Sequence, residues 1–370
     1  MEKVLIRNVE NYDLKVYDFV KDCFDMDLKG KSVLVKPNFL LAKDASSAVI
    51  THPVVIEAVL KVIIEKGGKP FIYEIPSIGS ALNAAKKCGV DKICSDLDVE
   101  IKELGEFEFV ENSSNVHFKK LAVPVAAKAD FIVSLAKLKT HSLMGLTLGV
   151  KNMFGLVKPD NRNQMHFKTG RDRDAFAHML IDVFNFVKPD LTILDGVVGM
   201  EGNGPSNGVP RKFGFMACSK SAFALDSAVV KIVGQKDSEI PIQRIAKERG
   251  VYEEAEVVGD HVYIGKTIKM PDSFTGSPIF GKVQKISYPL AKRLFDAKPV
   301  IVLDKCVSCF NCIKICPAKA ISPKDKKPVI DYSKCIKCFC CHEVCPEDAI
   351  KIHKTYLRRF IEKRVKRSLK

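Results

Sequence analysis

The sequence predicts an α/β fold, a mostly parallel sheet with flanking helices, joined to a small cysteine-rich α+β module. Three observations carry that expectation. Short apolar runs alternate with helix-period segments through residues 1–265, glycine-rich joints separate them, and nine of the thirteen cysteines crowd between Cys306 and Cys345. Strand–helix alternation with short joints is the pattern of a parallel sheet covered by helices. At 370 residues, 46% hydrophobic and 28% charged, the chain is too long and too apolar to be a disordered or fibrous protein.

Ser32–Val35 is the first buried run, and Lys36-Pro37-Asn38 ends it as a turn. Pro53–Lys66 sets Val54, Val55, Ala58, Val59, Val62 and Ile63 at helical spacing, and Gly67-Gly68 stops it. Phe71–Glu74 follows as a strand. Asp130–Leu135 reads as another buried strand, running into Ala136-Lys137-Leu138-Lys139-Thr140-His141. Phe176, Met179, Leu180, Val183 and Phe184 mark a helix before the strand Leu191–Leu194, which Asp195-Gly196 closes. A loop with Gly199, Gly202, Gly204 and Pro205 comes next, and Ser221–Gly234 reads as a helix ending in glycine. Residues 266–297, mixing Pro, Gly, Ser and basic residues, serve as a linker or docking segment.

An internal repeat begins at Lys298. Lys298-Pro-Val-Ile recurs as Lys327-Pro-Val-Ile, and Cys306, Cys309, Cys312 and Cys316 recur 29 residues later as Cys335, Cys338, Cys341 and Cys345. Each half reads C-x2-C-x2-C-x3-C-P, and residues 298–353 resemble two-cluster bacterial ferredoxins, in which the fourth cysteine of each run serves the other 4Fe-4S cluster. One cluster then takes Cys306, Cys309, Cys312 and Cys345, and the other Cys335, Cys338, Cys341 and Cys316. Structural zinc also uses Cys-x2-Cys pairs, but two runs of four with trailing prolines match that pattern poorly. Cys340 is left over as a buried bystander, and Cys218 reads as a small core thiol. The resemblance implies low-potential one-electron transfer.

In the larger part, polar residues gather at the carboxyl ends of expected strands, where open α/β sheets place their sites. The segments VKPN (35–38), THP (51–53), KLKTH (137–141), GVKNMFG (149–155), ILDG (193–196), EGNGP (201–205) and ALD (224–226) resemble the domain of unknown function 362 family, which often occurs fused to a ferredoxin module. That resemblance implies an iron–sulfur protein with a small-molecule or redox site in the α/β part. His141 with Gly145, Gly149 and Lys151 is also similar, over a handful of residues, to a segment of lactate-racemase-like enzymes.

The residues selected for catalysis are His141, Lys151 and Asp195, and for substrate binding Lys36, Asn38, Lys139, Asn152 and Glu201. Lys137, Lys139 and Lys151 form a basic set suited to an anionic substrate, with a neutral His141 able to move a proton near pH 7. Structural readings stand beside these: a hydrogen-bonded His141, solvated lysines, turn-capping Lys36 and Asn38, and Asp195 as a turn former. The glycine loop lacks the lysine and hydroxyl of a P-loop and departs from G-x-G-x-x-G, so no flavin, nickel or nucleotide motif assigns a second cofactor.

Over half of the formal net charge of +15 sits in the last twenty residues, which hold nine Lys/Arg and one Glu. Residues 354–370 read as a basic amphipathic helix, suited to an anionic membrane surface or an acidic partner, or packed on its own protein. Nothing in it favours nucleic acid. Without an 18-residue apolar run or a signal-type start, the expected place is the cytoplasm. The expected function is a ferredoxin-coupled oxidoreductase acting with a redox partner protein on a small anionic substrate. An electron-transfer scaffold, and a non-redox racemase-like or ligase enzyme with structural clusters, are the alternatives.

Overall fold

The computed structural model describes residues 1–274 and 297–354. The rest of the linker and the basic segment from residue 355 lie outside the described residues. The large part contains β1 (Glu2–Asn8), α1 (Leu14–Cys23), β2 (Ser32–Lys36), α2 (Pro53–Glu65), β3 (Lys69–Tyr73), α3 (Ala81–Cys88), α4 (Val90–Asp96) and β4 (Glu100–Lys102). It continues with β5 (Phe107–Glu111), β6 (Lys120–Pro124), β7 (Phe131–His141), β8 (Gly145–Thr147), α5 (Gly149–Asn152), α6 (Pro159–Thr169) and α7 (Arg173–Phe186). β9 (Leu191–Glu201), β10 (Val209–Ser219), α8 (Ala222–Ile232), α9 (Pro241–Glu248) and β11 (Ala255–Gly259) complete it. The cysteine-rich module holds β12 (Ala297–Ile301), α10 (Asn311–Lys314), β13 (Ile321–Lys324), β14 (Lys327–Ile330), α11 (Cys340–Glu343) and β15 (Ile350–Lys354).

A nine-stranded sheet runs in the order β11-β1-β10-β9-β7-β2-β3-β4, with β8 paired to β7. Five pairings are parallel and three, all involving β8 or β10, are antiparallel. The central strands are covered on both faces, so four of the five residues of β2 are buried, the apolar Val33, Leu34 and Val35 and the charged Lys36. Val33 and Val35 pack towards α1 and α2 with Phe19, Val55 and Val59, while Leu34 on the opposite face joins Phe176 and Leu180 of α7. Side chains of this size contribute about 1.5–3 kcal/mol each when fully buried.

The helices start where the sequence supplies caps. Pro53 opens α2 behind His52, whose side chain accepts from Val54 N–H. Asp172 caps α7 by accepting from Asp174 and Ala175 N–H, and Ser221 caps α8 through Ala224 N–H.

Two expected strand ends move. β7 does not stop at Leu135 but continues through Lys137, Lys139 and His141, because β8 pairs with its far end and β9 flanks it. β9 likewise runs through Asp195-Gly196 to Glu201. The glycines here serve close approach within the sheet: a Cβ on Gly196 would lie 2.9 Å from the Phe215 carbonyl, and one on Gly199 2.6 Å from the Leu138 carbonyl. Asp195 is therefore a strand residue, not a turn former.

The module docks on the sheet body. Phe339 and Ala297 are buried in the same core cluster as Phe176 and Leu180. Ser206 Oγ donates to the Glu343 carbonyl and Asn207 Nδ2 to the His342 carbonyl, each at 2.5 Å. Lys43 Nζ donates to the Pro346 carbonyl at 3.1 Å.

Candidate functional site

The repeat in the module is also a repeat of backbone conformation. Ser308 and Phe310 have φ of 56° and 58°, and their counterparts Lys337 and Phe339 have 58° and 64°. These left-handed residues between the cysteines turn each run around a central space. Cys306, Cys309, Cys312 and Cys345 line one hollow with ≈ 350 Å³ of interatomic space, mouth included, and Cys316, Cys335, Cys338 and Cys341 line another with ≈ 330 Å³. The pooling follows the crossed pattern, with each fourth cysteine reaching into the other set. Ala320 N–H and Ala349 N–H each donate to a crossing sulfur, Cys316 and Cys345, at 3.2 Å. Among the described residues no three His, Cys, Asp or Glu groups gather around a single-ion site. Thiolate quartets spaced around cavities suit iron–sulfur clusters, which supply one-electron chemistry when bound.

A cleft opens where the sheet body meets the module. It encloses ≈ 1090 Å³ of interatomic space, mouth included, and its walls include Lys151, Arg162 and His166 from the body and Lys314, Cys340 and Glu343 from the module. The module residues sit on the two short helices that separate cluster cysteines, α10 before Cys316 and α11 around Cys341.

A polar network forms the cleft floor, with Asn38, Glu74 and Asn152 among the lining residues and Lys36 and Lys139 below them. Lys36 Nζ is bonded to Glu74 Oε2 at 2.5 Å, the Pro37 carbonyl at 2.9 Å and Asn152 Oδ1 at 3.2 Å. Asn38 Nδ2 donates to the same Asn152 oxygen at 2.9 Å, and Lys139 Nζ donates to Asn38 Oδ1 at 2.6 Å and the Val49 carbonyl at 2.5 Å. Asn152 Nδ2 ends on Ser134 Oγ at 2.9 Å. Four of the residues selected from sequence are thus brought together, but they consume one another's hydrogen-bonding capacity. Burial lowers the pKa of Lys36, opposed by Glu74, and lowers that of Lys139 further, with Lys151 and Lys137 adding repulsion.

Spare capacity belongs to other groups. Lys151 Nζ lies 5.7 Å from the Phe154 ring centre and, among the described residues, has no hydrogen-bond or ion-pair partner. Burial lowers its pKa, with Glu343 pulling the other way. Among the described residues Arg162 makes one hydrogen bond, from Nη2 to the Pro76 carbonyl at 3.3 Å, and burial draws it down to about 10. His166 Nδ1 is buried without a partner among the described residues, and desolvation, aided by Lys151 and Arg162, lowers the ring's pKa to about 3. Burial pushes Glu343 up to about 7 against the pull of Lys151 and Lys139.

His141 stands behind this wall. Its Nδ1 accepts from Leu143 N–H at 3.1 Å and Met144 N–H at 3.2 Å, which leaves the proton on Nε2. That nitrogen lies 3.2 Å from Glu343 Oε1, close but outside hydrogen-bond alignment. Burial first, then Lys151, holds its pKa far below the usual histidine value, so it does not titrate near pH 7 as the sequence suggested.

Asp195 and Glu201 belong elsewhere. Asp195 accepts from Lys137 Nζ at 2.6 Å, Tyr12 OH at 2.9 Å and His52 N–H at 3.0 Å, in a solvent-free knot under stacked Tyr12 and His52 rings. Glu201 pairs with Arg211 at 2.9 Å and accepts from Lys269 N–H. Neither lines the cleft. Sequence reasoning missed Glu74, Arg162, His166 and Glu343. Glu74 and Glu343 had a signal, each a lone carboxylate against an otherwise apolar or cysteine run; Arg162 and His166 had none.

Comparison with known proteins follows the same division. Residues 33–231 match the family described as domain of unknown function (DUF362), and residues 298–346 match the 4Fe-4S dicluster domain. The chain belongs to the DUF362 family. It is an iron–sulfur protein with a dicluster module. Over 222 residues it is 36% identical to the thylakoid-associated protein sll1697 of Synechocystis sp., a match covering 60% of this chain and 69% of that one. The lactate racemase apoprotein of Thermoanaerobacterium thermosaccharolyticum aligns with a TM-score of 0.42 at 12% identity, over 64% of this chain and 57% of that chain. Among the described residues of this DUF362 protein, no helix is long and apolar enough to cross a membrane.

Proposed function

We propose that this DUF362 protein is a ferredoxin-coupled oxidoreductase that passes low-potential electrons to an anionic small molecule held in the cleft. One observation carries the reading. Two cationic side chains with unspent donors, Lys151 and Arg162, share that cleft with Cys340 and with the helices on which the cluster cysteines sit. An anion there meets charge-assisted donors in a partly desolvated site, beside the groups that feed it electrons. Reduction of an organic acceptor takes up protons as well as electrons. Lys151, whose ammonium is destabilised by burial, releases a proton from Nζ more readily than free lysine and regains it through the cleft mouth.

In this reading Lys36 and Lys139 position the cleft floor from below, while Asn38 and Asn152 line the cleft itself. The eight motif cysteines hold the two clusters in the crossed arrangement. His141 braces the wall that carries Glu343. The protein works in a reducing compartment, the cytoplasm, where its thirteen cysteines remain free thiols or cluster ligands.

The test is anaerobic. The reduced protein is mixed with a panel of small carboxylates and organic phosphates while cluster absorbance is followed. Reoxidation by a subset of anions, saturating with concentration, supports the reading; clusters that stay reduced across the panel count against it.

A further inference from the structure

The two cysteine quartets differ in what surrounds them. Cys338 and Cys341 are 7% exposed, and Phe339 between them is buried in the sheet body's core at 5%. The adjoining α11 is tied to the body through Ser206 and Asn207. At the other quartet, Cys309 is exposed, and Val307 and Leu303 stand 63% and 53% exposed beside it. Lysines rim these apolar groups. Lys305, Lys324 and Lys326 are exposed, and Lys327 Nζ donates to the Cys306 carbonyl at 2.6 Å, which ties the β13–β14 hairpin to the same rim. Asp304 and Asp325 are the carboxylates of these two segments and exposed Glu347 lines the same quartet, so four lysines stand against three carboxylates. The imbalance extends through residues 298–353, with ten lysines against six carboxylates.

We propose that the face around Cys306 and Cys309 is the docking surface for a small acidic one-electron carrier protein, and that electrons enter there while the Cys338–Cys341 side delivers them to the body. A small apolar centre in a charged rim fits a weak, fast encounter steered by charge. The reduced carrier gives up one electron and the module gains it, with no bond made or broken and no proton moved. This inference stands whether or not the cleft takes an anion, because its test contains no cleft ligand.

Oxidised full-length protein is mixed anaerobically with a reduced ferredoxin of strongly negative net charge, and the bleaching of cluster absorbance is timed across a range of ionic strengths. The rate falls steeply with salt. The Lys305→Glu/Lys324→Glu variant is slower at low salt by ~10-fold or more, and the gap closes at high salt. Equal iron content and equal reduction by dithionite show that its clusters are intact. Lys15→Glu, a charge reversal on exposed α1, leaves the rate within about 2-fold, as expected for a remote surface charge screened by salt. A double variant as fast as the unmodified protein, a rate indifferent to salt, or equal slowing by Lys15→Glu would overturn the assignment.

Discussion

Replacing Lys151 by methionine separates anion binding from folding. The substitution keeps most of the side chain's length and removes a charge that, among the described residues, has no hydrogen-bond or ion-pair partner and only a more distant pull, chiefly from Glu343, to offset its burial. Because burial lowers the folded pKa below the unfolded 10.5, the unfolded chain binds the proton more tightly than the folded one. Stability therefore rises with pH through the window between the lowered value and 10.5, and the variant lacks that rise. At neutral pH the variant melts at the same temperature as the parent or higher. Anion affinity moves the other way. A hydrogen bond to a charged partner is worth about 1.5–3 kcal/mol, so binding weakens by ~10- to 150-fold. In the parent, affinity also declines as pH rises through the lowered lysine pKa, since the neutral amine loses its charge. Thermal melts and equilibrium dialysis with an anion from the reoxidation panel measure both effects. A variant that melts markedly lower, or binds the anion as tightly as the parent, refutes the assignment of Lys151 as an unsatisfied ligand group.

Other outcomes follow from the same geometry. Lys36→Met strands the Glu74 carboxylate in a nearly buried site at the cleft floor and destabilises the fold by ~3–5 kcal/mol in urea titration, whereas Lys36→Met/Glu74→Met recovers most of that loss. Gly155→Ala places a Cβ over the Glu74 carboxylate and 2.9 Å from Lys36 Nζ, and the forced shift lowers stability by ~1–3 kcal/mol on the same assay. Cys341→Ser loses one cluster's share of iron and sulfide, while Cys340→Ala keeps the full content; equal loss in both would show Cys340 to be a ligand.

The parts legible in the sequence are those whose physics is local. Cysteine ligand spacing is set by a few residues of backbone, so the run from Cys306 to Cys345 announces its own pairing with Pro317 and Pro346 as punctuation. Buried parallel strands such as β2 are also local, with Val33, Leu34 and Val35 as an unbroken apolar run. Strand length was less legible, because Asp195-Gly196 has the composition of a turn and only the close approach of Phe215 shows why a glycine stands within the sheet. The cleft was legible in half. Lys36, Asn38, Lys139 and Asn152 were found as polar residues near strand ends, but their mutual satisfaction depends on partners brought together by the fold, Asn38 and Asn152 being 114 residues apart. Glu343 was hidden inside the cysteine run, and its meeting with His141 arises only when the module docks.

In the proposed reaction, electrons leave the cluster side of the cleft for an anion gripped by Lys151 and Arg162. Single-turnover reoxidation of the reduced protein by the best anion of the panel, compared among the parent, Lys151→Met and Cys341→Ser, tests it most directly. Lys151→Met then needs a higher anion concentration to reach half-maximal rate, and Cys341→Ser binds the anion normally but passes electrons to it far more slowly. Reoxidation that is unchanged in both variants would contradict it.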